Sequence, residues 1–83
     1  MVKKLTKQDL IDWALEHGWT LDRHGHLQVS VQGRQYRLKL SDISARLELR
    51  VDHEAGGSEW IRLKSAYLKD ITVTPEGKLL GLR

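Results

Sequence analysis

The sequence predicts an α+β fold, one N-terminal helix packed on a curved antiparallel sheet of about six or seven strands, and three observations carry that expectation. Residues 5–10 hold a helix-start pattern that leads into an apolar stripe of helical period. From residue 19 onward apolar and polar residues alternate. Most of the alternating runs are separated by a short turn containing glycine.

The helix comes first. In Leu5-Thr6-Lys7-Gln8-Asp9-Leu10 the Thr6 hydroxyl is placed to accept from the backbone N–H of Asp9, and Leu5 is placed to staple onto Leu10. Gly18 stands where a left-handed residue ends a helix, with Trp19 as its apolar companion, so the helix is expected over residues 7–17. Leu10, Ile11, Trp13, Ala14, Leu15 and His17 share one broad arc, and Asp9, Asp12 and Glu16 fall on the other. The exposed helix face is therefore acidic.

Three strands follow, marked by Trp19 and Leu21, by Leu27, Val29 and Val31, and by Tyr36, Leu38 and Leu40. A three-residue loop Arg23-His24-Gly25 pairs Leu21 with Leu27 and Trp19 with Val29. A two-residue loop Gln32-Gly33 pairs Leu27 with Leu38 and Val29 with Tyr36. Both loops put the apolar residues on one face. After a connector at residues 41–44, Ala45, Leu47, Leu49 and Val51 alternate with Arg46, Glu48, Arg50 and Asp52, and a tip at Ala55-Gly56-Gly57-Ser58 turns the chain back. Pairing Val51 with Ile61 and Leu49 with Leu63 brings Glu48 opposite Lys64 and leaves Trp60 on the charged face. A last hairpin, residues 71–74 and 78–82, turns at Thr74-Pro75-Glu76-Gly77. Its alternation breaks, with Val73 and Leu79 on one side and Leu80 and Leu82 on the other, so both of its faces call for apolar cover.

Composition narrows the function. Leu, Ile and Val supply 23 of the 83 residues, enough for one folded domain over residues 1–83 and one core. The absence of cysteine excludes disulfides, thiolate metal sites and a cysteine nucleophile. No apolar run approaches a membrane span, and the basic start Lys3-Lys4 leads into a charged amphipathic pattern, so a soluble cytoplasmic protein is expected. The net charge of +3 is concentrated in residues 1–39, with seven basic side chains against four acidic; the remainder balances seven against seven. That excess permits a polyanionic partner without requiring one.

No catalytic site is expected. The five serines lack a glycine-flanked elbow, no paired carboxylates adjoin a pocket-forming run, and no glycine cluster leads into a helix to cradle a phosphate. His24 and His26, flanking Gly25, could supply two imidazoles to a metal, but two ligands do not make a site; no metal or other cofactor is implied. His17 reads as a helix-end side chain compensating the dipole, and His53 as part of an exposed hairpin end.

A helix ending in Gly18-Trp19, then a strand, Arg23-His24-Gly25-His26 and a second strand resembles the opening of HicA-type toxins, small RNA-cleaving proteins with a fold like that of double-stranded-RNA-binding domains. The resemblance covers barely the first 40 residues, and it implies His26 as the catalytic histidine. In that family a Gly-Ser step precedes the histidine and a second helix closes the fold; this chain lacks the serine and continues in strands. Membership and the toxin's activity are not assigned on so short a pattern.

Two binding functions remain. Trp60, Leu68, Leu80 and Leu82 are expected on the side of the second half opposite its core, where a protein partner or a second copy would cover them, which makes a non-enzymatic binding or regulatory protein the first expectation. The alternative is a nucleic-acid-binding accessory protein, with Arg50, Arg62 and Lys64 holding phosphates around Trp60 and a small phosphate contact at Lys3, Lys4 and Lys7.

Overall fold

The structure, a computed structural model, describes residues 5–83 and is of the α+β class. Helix α1 (Lys7–Glu16) is followed by β1 (Thr20–Leu21), β2 (Leu27–Val31), β3 (Arg34–Leu40), β4 (Ser44–Asp52) and β5 (Ser58–Tyr67). A 3-10 turn at Leu68–Asp70 leads to β6 (Thr72–Val73) and β7 (Leu79–Leu80). Strands β1 to β5 form one antiparallel sheet in chain order, and β6 and β7 form a separate two-stranded sheet, in place of one sheet of six or seven strands. No helix among the described residues is long and apolar enough to cross a membrane. Lys3 and Lys4, expected as part of a phosphate contact, lie outside the described residues.

Helix α1 begins as its sequence dictates. Thr6 Oγ1 accepts from Asp9 N at 3.1 Å and the Asp9 carboxylate accepts from Thr6 N at 3.1 Å, so two otherwise unpaired donors are satisfied reciprocally. At the other end Gly18 takes φ +89° and Trp19 N reaches back to Ala14 O at 3.0 Å. His17 caps the helix instead of belonging to it, and Leu15, expected on the apolar arc, is 48% exposed.

The meander keeps its expected register. Leu21 faces Leu27, Leu27 faces Leu38 and Val29 faces Tyr36. The Gln32-Gly33 turn has φ of +50° and +78°, the combination that matches strand twist in a two-residue hairpin. The helix lays Leu10, Ile11 and Ala14 on Leu27, Leu38, Leu40 and Ala45, and these residues with Leu68 and Ile71 make the core.

The β4–β5 hairpin corrects the expected register. Leu49 faces Ile61 and Val51 faces Glu59, two residues from the predicted pairing, because the tip closes through His53 N to Gly57 O and Gly56 N to His53 O. A bulge then falls between Leu47 and Glu48, where Glu48 faces Arg62 but Leu47 faces Lys64. Leu63 is thus the extra residue, and a slip of one residue moves every later side chain to the other face. Lys64 leaves the face of Trp60 and Arg62 and joins that of Leu47.

The C-terminal segment corrects a second expectation. Leu68 is 4% exposed and belongs to the core, delivered there by the 3-10 turn and by Leu68 N donating to Ile43 O at 2.8 Å. Gly81, at φ +97°, bends the chain after β7 so closely past Asp70 that a Cβ would strike the Asp70 carbonyl. The bend cancels the alternation, so Leu79 and Leu82 both turn toward the core while Leu80 stays 49% exposed. Arg83 then pairs with Ser65 through both backbone groups, at 2.9 and 3.1 Å.

Candidate functional site

The sheet offers two surfaces of different chemistry. On the inner face, α1 and the C-terminal segment cover the end nearest the helix and stop. A helix of 10 residues is about 15 Å long, whereas a strand of 10 residues runs about 33 Å, so one such helix cannot span β5. Beyond it Val31, Ile61, Leu63 and Leu80 are each more than 40% exposed, and Val29, Tyr36, Leu49 and Val51 are half-buried. An open groove lies along this region, lined by Val29, Val31, Tyr36, Leu47, Leu79 and Leu80 among others. It is mostly apolar, with Lys64 at its side, because these are the same alternate positions that build the core further along each strand.

The outer face is polar and joined up across strands. Asp22 accepts from His24 N and His26 N at 2.9 Å each, and from Gln28 Nε2 at 3.1 Å. Gln35 Nε2 donates to Gln28 Oε1 at 2.8 Å, Arg50 Nη1 donates to Gln35 Oε1 at 3.2 Å, and Arg50 Nε donates to Asp52 at 3.2 Å. Burial works to raise the Asp22 carboxyl, and the donors from His26, Gln28 and His24 outweigh it, holding the group below its ordinary value. Beside this chain Glu48, 5% exposed, accepts from Arg37 Nε at 2.9 Å, and the Arg37 guanidinium lies 4.3 Å from the centre of the Trp60 ring. Arg46 approaches Glu48 from the other side at 3.9 Å.

The sequence-predicted site residues are therefore divided. Arg50, Trp60 and Arg62 do share the outer face, with Arg50 directly opposite Trp60, and Lys64 does not join them. Trp60 points away from Leu80, so the two are not parts of one patch; Leu68 is core and Leu82 packs against it. Arg37 and Lys39 were missed as members of the outer face, and Arg46, placed on that face by alternation, was not singled out as a site residue. The alternation of Arg37 and Lys39 with Tyr36, Leu38 and Leu40 was the signal that could have found the first two.

The histidines hold backbone. His26 Nδ1 accepts from Leu40 N at 3.1 Å, which requires the neutral ring, and burial lowers its pKa below 6.5, assisted by Arg37 and Lys39 and opposed by Asp22. His17 sits between two carbonyls, Trp13 O at 2.7 Å and Pro75 O at 2.9 Å, so both ring nitrogens are favoured as donors and the pKa rises above 6.5. With Trp13 Nε1 donating to Thr74 O at 2.8 Å and the two rings stacked 4.9 Å apart, it ties α1 to the β6–β7 turn. Among the described residues no group of three or more His, Asp or Glu is arranged to hold a metal ion. No protein-family model matches the chain, and no curated protein or solved structure matches it either.

Proposed function

We propose that this is a small non-enzymatic binding protein that acts through protein contact, with a second copy of its own chain as partner. The observation that supports this reading is the uncovered half of the inner sheet face, where Val31, Ile61 and Leu63 remain more than 40% exposed around half-buried Val29, Tyr36 and Leu49. Burying a side chain of this size contributes about 1.5–3 kcal/mol, so a few of them in one patch hold a partner. A second copy suits the patch because a face used by both chains about a twofold axis covers the two exposed surfaces at once. The patch also runs to the outer edge of β5, the last strand of the sheet.

Sedimentation over a range of concentrations tests the reading. The parent chain is expected to associate as concentration rises, and Ile61→Asp is expected to remain monomeric while melting at nearly the same temperature under dilute conditions. A parent chain that stays monomeric at the highest concentrations would overturn the proposal.

A further inference from the structure

The opposite face of the sheet has an arrangement that folding does not call for. Among the described residues five cations, Arg37, Lys39, Arg46, Arg50 and Arg62, project from it against three carboxylates, Glu48, Asp52 and, at the β1 end, Asp22, which is held by His24, His26 and Gln28. Arg37 takes Glu48, which Arg46 also approaches at 3.9 Å, and Arg50 takes Asp52. Lys39 stands directly opposite Arg46 across β3 and β4, a pairing of like charges that weakens a sheet. Arg62 faces Glu48 in the register, but that carboxylate is already committed to Arg37, and among the described residues neither Lys39 nor Arg62 is in an ion pair.

We infer that this face binds single-stranded nucleic acid, with phosphates held by Lys39, Arg46 and Arg62 and a base laid on the Trp60 ring. The like-charged pair at Lys39 and Arg46 is relieved when a phosphate comes between them. An open depression of about 730 Å³ continues the site past the edge of β5, lined by Arg46, Arg62, Ser65 and Arg83 with Asp70 as its acid. Trp60 is half-buried and the Arg37 guanidinium already covers one face of its ring at 4.3 Å, so a base reaches the stack at the exposed remainder of the ring or on the guanidinium plane itself. Charge across the molecule orients the approach, because the exposed acids of α1, Asp12 and Glu16, lie beyond the other side of the sheet and repel a phosphate backbone there. A single strand is specified over a duplex because an aromatic ring on a sheet surface reaches the face of a base when that base is unpaired.

The bulge supplies the control. Lys64 carries the same charge as its neighbour two residues away but stands on the inner face, opposite Leu47. Anisotropy of a labelled oligothymidylate of about 12 nucleotides reads the binding, with thermal melts to verify that each variant folds. Binding is expected at low salt, weakening steeply as salt rises. Arg46→Glu and Arg62→Glu are each expected to lower affinity about tenfold or more, and Trp60→Leu about tenfold. Lys64→Glu is expected to change it less than about threefold. Where Arg62→Glu fails to fold, Arg62→Gln takes its place. No binding at low salt would overturn the inference, as would a Lys64→Glu loss equal to that of Arg46→Glu, which would mean net charge and not this face attracts the strand. Polyglutamate bound as tightly as the oligonucleotide, with no effect of Trp60→Leu, would overturn it too and mark an acidic-protein surface.

Discussion

The two halves of the inner sheet face are built from the same alternation of residues and end in opposite states. Near the helix Leu27 and Leu38 are completely buried; toward the hairpin tips Val31 and Ile61, one or two pleats along on the same side, are 48% and 42% exposed. Strand pattern is alike in the two places, and what differs is the reach of the elements laid on top. The helix ends at Glu16, and the C-terminal segment returns to Ser65 through Arg83 without passing over the tip. Alternation in a strand thus reports which side is apolar, and the length of its cover decides whether that side becomes core or contact surface.

The largest expected effect separates the halves directly. Leu38→Ala removes a fully enclosed side chain and should cost about 2–5 kcal/mol, while Ile61→Ala should cost less than about 1 kcal/mol in the monomer. Urea unfolding of the two variants measures both, and equal costs would erase the distinction. Gly81→Ala comes next. It places a Cβ against the Asp70 carbonyl in a backbone conformation that disfavours side chains, and a loss of more than about 1 kcal/mol is expected, with Leu82 no longer held on the core. Hydrogen exchange at Arg83 N, now bonded to Ser65 O, would report that release.

Smaller effects sharpen the comparison from the polar side. Gln28 links Asp22 to Gln35, so Gln28→Ala should cost about 1 kcal/mol in the same denaturant experiment, more than an exposed polar residue and less than Leu38. The two clamping histidines should show the weakest and most distinctive effects, of opposite sign. His17 has a raised pKa in the folded chain, so its contribution is complete below 6.5 and is lost as pH rises through the folded value. His26 has a lowered pKa, so its contribution is complete above 6.5 and is lost as pH falls toward the folded value. Melting temperatures from about pH 5 to about pH 8 should show His17→Gln flattening the alkaline side of the profile and His26→Gln the acid side.

Much of this was legible in short stretches of chain. Thr6 and Asp9 announce the helix start, Gly18 its end, and the loops Arg23-His24-Gly25 and Gln32-Gly33 each set a register that the structure keeps. All of these depend on residues within a few positions of one another, where turn length and φ leave few choices. The site was legible in part: Arg50, Trp60 and Arg62 follow from alternation along β4 and β5, whereas Lys64 was lost to a bulge with no local marker.

By itself, then, the sequence determined the α+β class, the helix with its capping, the meander and the apolar side of strands β2 to β4, because these arise from backbone conformations and near-neighbour contacts. Tertiary structure decided the Leu63 bulge, the inward turn of Leu82 after Gly81, the burial of Leu68 and the alliance of Arg37 with Glu48 and Trp60. Each of those joins residues distant in the chain, and its outcome rests on which surface arrives first to fill a space, which the alternation of side chains along a strand does not encode.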